Sequence, residues 1–338
     1  MDVIEAIGNT PLIELKVVSQ GLPNKVFIKC EHMNPGGSVK DRTARAIILD
    51  AEARGVLVPH RAPKMTIIEG TAGNTGMGLA LLALARGYRC ICVLPEKVAT
   101  DKRIALRQLG AEVYVAKAAG IRSPDNFRNV AARLAEENGW FLTNQFHNPA
   151  NIDAHYGGKG FSATGPEIFQ QMAGKVGAFV SSAGTGGTIT GVGKLLKERL
   201  PHVKIVMADP IGSGLGEWVN TGTLGPDGPF VIEGIGSASV PTNLQRGPLD
   251  YAEKVADAEA LAMVERLVKE EGLTVGGSTG VNVVAALRVA ARTDLDGPVV
   301  TIAADLWDRY RSTSWMKAWE DREARSVVFM APYQPKAT

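Results

Sequence analysis

The amino-acid sequence predicts an α/β protein with mostly parallel sheets, and two observations carry this prediction. Short apolar runs alternate with longer segments of 3.6-residue periodicity almost throughout the 338 residues, which is the pattern of strands alternating with helices. Three glycine-rich loops follow apolar runs and lead into helical segments. Loops of this kind lie at the carboxyl ends of parallel strands, so we expect them to meet at one site.

The predicted strands are rich in Val, Ile or aromatic residues and are bounded by glycine, proline or polar residues, as buried parallel strands are. They cover residues 26–30, 66–69, 90–94, 112–115, 140–143, 178–181, 204–208, 273–275 and 299–303. Helices are predicted between them, including residues 43–54 and 79–86.

Local signals predict where individual helices start and end. Ser123 followed by Pro124 is typical of a helix cap with proline at the first helical position, and Gly139 ends that helix. A later helix ends before Gly272. Between residues 212 and 240, Gly, Pro and Ser accumulate and the periodicity is lost, which predicts a long functional loop. We expect two domains, residues 1–147 and 148–338.

Composition narrows the class of function. Lys plus Arg (37) nearly balance Asp plus Glu (35) for a net charge of +2, so a nucleic-acid or anionic-membrane surface is not expected. The N-terminus resembles no signal peptide and no window approaches a membrane span, which predicts a cytoplasmic protein. The three cysteines are predicted to be reduced and buried. No metal site is expected, because the cysteines and histidines lack ligand spacing.

Lys40 is the first candidate functional residue. It follows Pro-Gly-Gly-Ser-Val between a predicted strand and a predicted helix, where a strand end presents groups to a pocket. This position favours a nucleophilic amine. The alternative, an ordinary surface lysine at a helix start, is the commoner case when such a motif is taken alone.

The loop EGTAGNTGMG at residues 69–78 is the second candidate. Thr71, Asn74 and Thr75, with the free amides around them, form a set of hydrogen-bond donors at a helix N-terminus, which is typical of a carboxylate or phosphate receptor. A tight strand-to-helix turn that merely requires glycine explains the same sequence equally well.

The loop SAGTGG at residues 182–187 favours an anion site more strongly. Its glycines remove side chains while its threonines add hydroxyls; the candidate residues are Gly184, Thr185, Gly186, Gly187 and Thr188. The loop is not a P-loop, since no lysine follows in the required position. It also fails the dinucleotide motif, because Ile189 stands where the third glycine belongs.

The third loop, GGSTG at residues 276–280, places Ser278 between a predicted strand and a helix. A lysine, an anion cradle without Lys or Arg, and a second carboxylate receptor together suggest pyridoxal 5′-phosphate. The amine of Lys40 would form the Schiff base and the glycine-rich loop would hold the phosphate.

With these residues in view, the sequence resembles the cysteine synthase and cystathionine β-synthase family. The resemblance rests on PGGSVKDR around Lys40, TAGNTG, AGTGGT and EGIG at residues 233–236, and it extends from IGNTPL at residues 7–12 to DRYRST at residues 308–313. It implies fold type II of the pyridoxal-phosphate enzymes, as in the tryptophan synthase β subunit. Two three-layer αβα domains with twisted, mostly parallel sheets would hold the cofactor in the cleft between them.

The resemblance also implies roles for single residues. Lys40 would be the Schiff-base lysine and would move the proton at the substrate Cα. Asn74 would hydrogen-bond the cofactor ring oxygen, Ser278 would face the pyridine nitrogen, and Gly234 would line the ring's neighbourhood. Residues of the first loop with Gln145 would hold the substrate carboxylate: Thr71, Ala72, Asn74, Thr75 and Gln145.

The activity implied is β-replacement on O-acetylserine or a related amino acid, with sulfide or a thiol adding to an aminoacrylate to give L-cysteine. Three alternatives stay open: a cysteine desulfhydrase or other β-eliminating lyase, a cystathionine β-synthase, and a weakly catalytic homologue that binds serine acetyltransferase. Ala72, where the family usually has serine, leaves replacement and elimination undecided, and residues 157–163 look longer than usual. A homodimer is expected. The aromatic residues at 307–325 suit either a dimer face or a helix packed on its own core.

Overall fold

The strands and helices of this protein follow the alternating pattern of its sequence. Residues 2–71, 73–96 and 98–325 are described by the structure, a computed structural model. The strands are β1 (Leu12–Leu15), β2 (Val26–Lys29), β3 (Thr66–Gly70), β4 (Arg89–Pro95), β5 (Glu112–Ala116), β6 (Phe141–Leu142), β7 (Ala178–Ser182), β8 (Lys204–Pro210), β9 (Tyr251–Val255) and β10 (Val299–Ile302). The helices are α1 (Lys40–Ala53), α2 (Asn74–Arg86), α3 (Thr100–Gln108), α4 (Phe127–Asn138), α5 (Ala150–Tyr156), α6 (Thr164–Gln171), α7 (Gly187–Arg199), α8 (Leu215–Thr221), α9 (Thr242–Gln245), α10 (Asp257–Glu271), α11 (Gly277–Ala290) and α12 (Ser314–Ala324).

The strands form two sheets. One has six strands in the order β1-β2-β10-β7-β8-β9, and the other has four in the order β5-β4-β3-β6. Strand β1 runs antiparallel to β2, and the other neighbouring strands run parallel. The predicted α/β class with mostly parallel sheets is confirmed.

Helices cover both faces of each sheet. In the six-stranded sheet, Ala178 and Val180 pack into a buried cluster with α10 and α11, whereas Phe179 between them packs into a cluster with α6 and α7. In the four-stranded sheet, Ile67 packs with α1 and α2, and the adjacent Ile68 packs with α4. Because successive side chains of a strand point to opposite faces, each sheet is the middle of three layers.

Most predicted strands are present, but the sequence misses β1 and β9. Both lie at the edges of the six-stranded sheet, where charged side chains such as Glu253 and Lys254 interrupt the apolar run that marks a buried strand. The strand predicted at residues 273–275 is wrong. Val275 forms a single bridge to Leu306, since α11 begins two residues later and leaves no length for a ladder.

The predicted cap at Ser123 and Pro124 is also wrong. Helix α4 begins three residues later, and Asn126 caps it by accepting a hydrogen bond from the Arg128 N–H at 3.1 Å. Ser123 forms the preceding turn instead, accepting from the Asn126 N–H at 3.0 Å. Ser123 and Asn126 are both candidate N-cap residues, and asparagine is at least as favourable as serine at that position. The predicted ends at Gly139 and Gly272 are confirmed, since both adopt the left-handed conformation.

The segment predicted as a long loop at residues 212–240 contains helix α8. Within it, Leu215 and Gly216 are buried, although the helix is too short to show a clear periodicity in the sequence. After this helix, residues 222–240 form no helix or strand. It reaches the pocket described below through Glu233, Gly234 and Ile235.

The two sheets are not built from two continuous halves of the chain. Strands β1 and β2 precede the four-stranded sheet in sequence, yet they pair within the six-stranded sheet. A division by sheets would therefore assign residues 12–29 with the C-terminal strands, and a boundary near residue 147 stays a prediction. Across the described residues, no helix has the length and apolar content needed to cross a membrane.

Candidate active site

One pocket opens where the carboxyl ends of several strands meet the first turns of the helices that follow them. Together with the space that is open to solvent, it has a volume of about 520 Å³. Its lining comprises Val39, Lys40, Asn74, Ser181, Ser182, Gly184, Thr185, Gly186, Thr188, Glu233, Gly234, Ile235, Ser278, Asn282, Ile302, Ala304 and Asp305.

Lys40 is the first residue of α1, and its side chain reaches this pocket half-buried. Burial lowers the pKa of its amine, and the carboxylate of Asp305 raises it in opposition. No described residue forms a hydrogen bond with the amine nitrogen. A desolvated amine without a partner has a larger neutral fraction than a surface lysine, which is the state that attacks an aldehyde or accepts a proton.

The loop between β7 and α7 forms one wall of the pocket. Gly186 adopts φ +83° and caps α7, a helix of 13 residues, so the first N–H groups of the helix and its dipole favour an anion there. The Thr185 hydroxyl accepts a hydrogen bond from the Asn151 amide at 2.9 Å. The Thr188 hydroxyl lies 3.2 Å from Nε2 of His155. Burial lowers the pKa of His155 well below its ordinary value. His155 is therefore a neutral partner that orients a hydroxyl.

The glycines of this loop are required by protein packing. A Cβ atom at Gly184 would lie 2.3 Å from the Gly234 oxygen, and one at Gly186 would lie 2.5 Å from the Leu244 nitrogen. Packing against neighbouring segments therefore requires glycine at both positions, and their part in holding an anion stays a prediction. Gly187 does not line the pocket, and a Cβ there would meet the Asn151 amide at 2.1 Å.

Ser278 lies in the first turn of α11 and is 3% exposed. Its hydroxyl makes no hydrogen bond within the described parts of the chain. One turn later, the Asn282 side chain accepts from the Ser182 N–H at 2.7 Å and donates to the Ile302 oxygen at 2.8 Å. Asn282 thus fixes α11 against the ends of β7 and β10, and with it the position of Ser278.

The first predicted loop joins β3 to α2. Of its candidates, Asn74 lines the pocket, whereas Thr71, Thr75 and Gln145 are buried beside it. The Thr75 hydroxyl donates to the Gln145 side-chain oxygen at 2.6 Å, and the Gln145 amide donates to Glu69 at 3.2 Å. The structure thus brings Thr75 and Gln145 together. Ala72 lies outside the described residues.

The sequence interpretation missed Asp305, which is 1% exposed and lines the pocket. Its Oδ2 accepts hydrogen bonds from Asn74 Nδ2 at 2.6 Å and from the Tyr310 hydroxyl at 2.5 Å. A signal was present, because Asp305 follows β10 at the carboxyl end of a central strand, where polar side chains serve a site rather than the core.

These groups fit pyridoxal phosphate. The pocket offers a free amine, a helix N-terminus with hydroxyls for a phosphate, and a buried hydroxyl without a protein partner in the described chain. A Cβ atom built on Gly234 would have no atom of the described residues within 4 Å, so this glycine leaves space at the wall of the pocket that it lines. The chemistry of the donors matches an aldehyde, a phosphate and a ring nitrogen respectively.

Comparisons with known proteins agree with this fit. The family described as pyridoxal-phosphate dependent enzymes matches residues 3–305. Cysteine synthase 1 of Emericella nidulans is 42% identical, covering 96% of this chain and 87% of the relative. A cystathionine beta-synthase of Apis mellifera is 40% identical over 94% of this chain, which spans 62% of that relative's length.

A solved structure gives the same result in three dimensions. The O-acetylserine dependent cystathionine beta-synthase from Helicobacter pylori superposes with a TM-score of 0.82 at 36% identity, covering 92% of this chain and 97% of the other. This chain therefore belongs to the pyridoxal-phosphate dependent enzymes and, within them, to the cysteine synthase and cystathionine β-synthase family.

Proposed function

We propose that this enzyme catalyses β-replacement on O-acetylserine, or a related β-substituted L-amino acid, with sulfide to form L-cysteine. In this reaction the bond from Cβ to the acetate oxygen breaks and a bond from Cβ to sulfur forms. One observation supports the proposal most directly: Lys40, Thr185 and Ser278 line a single pocket. The names of its relatives, which include cysteine synthases, support the choice of reaction.

Bound pyridoxal phosphate supplies an electron sink that lets a proton leave the α-carbon and a substituent leave the β-carbon of an amino acid. Lys40 would hold the cofactor covalently and, once displaced by the substrate amine, would carry the α-proton. Its burial favours the neutral amine that this work requires. The phosphate would be held by the N–H groups and hydroxyls of residues 184–188, including Gly187.

The remaining roles are those of orientation. Asn74 would bind the ring oxygen, and Ser278 would face the ring nitrogen. A hydroxyl does not hold positive charge at that nitrogen as a carboxylate does, which favours prompt loss of the leaving group. Thr71, Thr75 and Gln145, with the loop around Ala72, would bind the substrate carboxylate, and closure of this loop would exclude water.

The test is a panel of β-substituted amino acids, with and without sulfide, followed by the visible spectrum of the cofactor and by product analysis. Wild-type enzyme should convert O-acetylserine and sulfide to cysteine and acetate. Lys40→Ala should lose at least about a thousandfold in turnover while still binding the cofactor non-covalently. Lys16→Ala, at an exposed lysine, serves as the control. Full activity of Lys40→Ala would reject the assignment.

Two other reactions use the same groups. Formation of cystathionine from homocysteine is supported by relatives named cystathionine beta-synthase, and the panel tests it by replacing sulfide with homocysteine. Elimination to pyruvate and ammonia is supported by Ala72, which removes one hydroxyl from the substrate loop. Release of sulfide and pyruvate from cysteine alone would identify the lyase.

We also propose a cytoplasmic homodimer that receives the C-terminal tail of serine acetyltransferase in its active-site cleft. The aromatic cluster at the C-terminal end gives no support to the dimer, because Tyr310, Met316 and Trp319 are buried against Val264 of the same chain. Analytical ultracentrifugation measures the oligomeric state. Binding of a tail peptide that competes with O-acetylserine tests the partner.

A further inference from the structure

The Asn74 side chain is clamped from two sides by the segment that follows β10. Its Nδ2 donates to Asp305 Oδ2 at 2.6 Å, and its Oδ1 accepts from Arg309 Nη1 at 2.6 Å. The same guanidinium also donates to the Gly36 oxygen, just before α1. Asn74 opens α2 beside the four-stranded sheet, so these contacts join elements from both sheets.

The charges of the two partners determine which way the Asn74 amide faces. Were its oxygen and nitrogen exchanged, the oxygen would oppose a carboxylate and the nitrogen would oppose a guanidinium. The amide nitrogen has two hydrogens, and Asp305 takes one of them. The second remains for a ligand in the pocket that both residues line.

We propose that Asp305 is a positioning residue for the cofactor, acting through Asn74. Its carboxylate holds the Asn74 amide nitrogen with one N–H directed to an acceptor oxygen on the bound ring. This inference rests on the proposed function, because it takes the pocket to be the pyridoxal-phosphate site.

The surroundings of Asp305 are consistent with a role beyond structural support. It is 1% exposed, and its Oδ1 has no hydrogen-bond partner among the described residues, which is costly for a carboxylate that only anchors a loop. Three titratable groups face it: Lys40 from α1, His32 from the turn Glu31–Met33, and Tyr310. Its charge therefore also acts on the amine that would bind the cofactor.

The experiment measures how tightly the cofactor-free protein, prepared with hydroxylamine, binds added pyridoxal phosphate. Asp305→Ala should weaken binding by about tenfold to a hundredfold, the usual loss when a buried donor is left without its acceptor. The same substitution in an Asn74→Ala background should change binding by no more than about threefold, because Asn74 is gone and only the charge of Asp305 on the Lys40 amine remains. Additive losses in this double-mutant cycle would overturn the inference.

Two further variants separate positioning from folding. Tyr310→Phe removes the other hydrogen bond to the same oxygen and should change affinity by less than about threefold. A loss equal to that of Asp305→Ala would show that the segment acts by packing alone. Asp305→Asn keeps an acceptor oxygen without the charge, so it should keep affinity near wild type while the visible spectrum titrates at lower pH. An affinity as weak as that of Asp305→Ala would contradict the proposal.

These results are distinguishable from failure of the proposed function. If wild-type protein forms no visible band with pyridoxal phosphate, the function is rejected and the inference falls with it. If wild type forms the band and the cycle is additive, the function stands and only the role of Asp305 is wrong.

Discussion

At the start of α1, burial shifts the pKa values of two adjacent side chains in opposite directions. It lowers the pKa of Lys40 and raises the pKa of Asp41 to about 7. Both shifts favour the neutral form, as desolvation requires. The proposed chemistry requires the neutral amine of Lys40. Asp41 lies outside the pocket lining, and its carboxyl group accepts a hydrogen bond from the Gly36 N–H at 2.5 Å.

The raised pKa of Asp41 predicts how the stability of the protein depends on pH. Its folded pKa of about 7 lies above its ordinary value of 3.8, so between these values the folded state binds more protons than the unfolded state and stability falls as pH rises. Asp41→Asn keeps an acceptor for Gly36 and removes this charge. We expect it to stabilise the protein above pH 7 by a few kcal/mol, on the order set by the shift.

Urea denaturation of cofactor-free protein at several pH values measures this effect. The difference between wild type and Asp41→Asn should shrink as pH falls from 7 to 4, where both side chains are neutral. Asp50→Asn, at a partly exposed position of the same helix, is the control substitution. A constant difference at all pH values would indicate that packing, not ionisation, separates the two proteins.

A buried ion cluster fixes β2, α1 and α6 to one another. Lys29, Glu31, Arg42 and Glu167 are its members, each of them buried. The Arg42 guanidinium reaches Glu31 at 2.6 Å and Glu167 at 2.7 Å, and the Lys29 amine reaches Glu167 at 2.6 Å. Burial alone would raise the pKa of Glu167, but these cations lower it to about 2. The cluster sets the position of α1, whose first residue is Lys40.

Removing one member leaves buried charge without its partner. We expect Glu167→Gln to cost about 3–5 kcal/mol in the free energy of unfolding. Asp50→Asn in α1 breaks a partly exposed pair with Arg54, the residue that follows this helix, and should cost less than about 0.5 kcal/mol. The contribution of Glu167 is complete above its ordinary pKa of 4.5 and is lost as pH falls toward 2. The free energies of unfolding of wild type and Glu167→Gln should therefore approach each other below pH 4. Equal losses of stability at pH 3 and pH 7 would contradict the charge argument.

At this scale the sequence predicts buried elements better than edge elements. Strand β4 is buried along nearly its whole length, and such a strand is recognisable in the sequence as an apolar run. Edge strands such as β9 mix apolar and charged residues, so composition does not separate them from loops. The turn at Val275 shows the opposite error, because burial alone does not distinguish a strand from a short connection.

The parts of the site that the sequence predicts are those with a local signal, and the parts that it misses depend on the packing of the whole molecule. Lys40, the 184–188 loop and Ser278 carry local signals, since each needs a distinctive residue beside glycine. Asp305 carries none beyond its place after a strand. Its significance comes from contacts with Asn74, 231 residues away in sequence, which only the packing of the two sheets creates.

One ion pair connects helix α3 to the loop that lines the pocket. Lys102 on α3 pairs with Glu233, which lines the pocket, and the Lys102 amine also lies 5.0 Å from the centre of the Tyr310 ring. The Lys102 side chain is 15% exposed and that of Glu233 is 45% exposed. Because both side chains are partly exposed, solvent screens this pair and limits its contribution to stability.

Reversing the charge at position 102 tests whether this ion pair holds the loop in place. Lys102→Glu should repel Glu233 and speed amide hydrogen exchange in residues 231–236, because like charges at this distance favour separation. The double variant Lys102→Glu with Glu233→Lys restores opposite charges and should return exchange toward the wild-type rate. High salt should reduce the difference between the two proteins, since the pair is partly exposed to solvent. If the double variant exchanges as fast as the single one, the loop is held by the packing of Lys102 against Tyr310 and not by the ion pair.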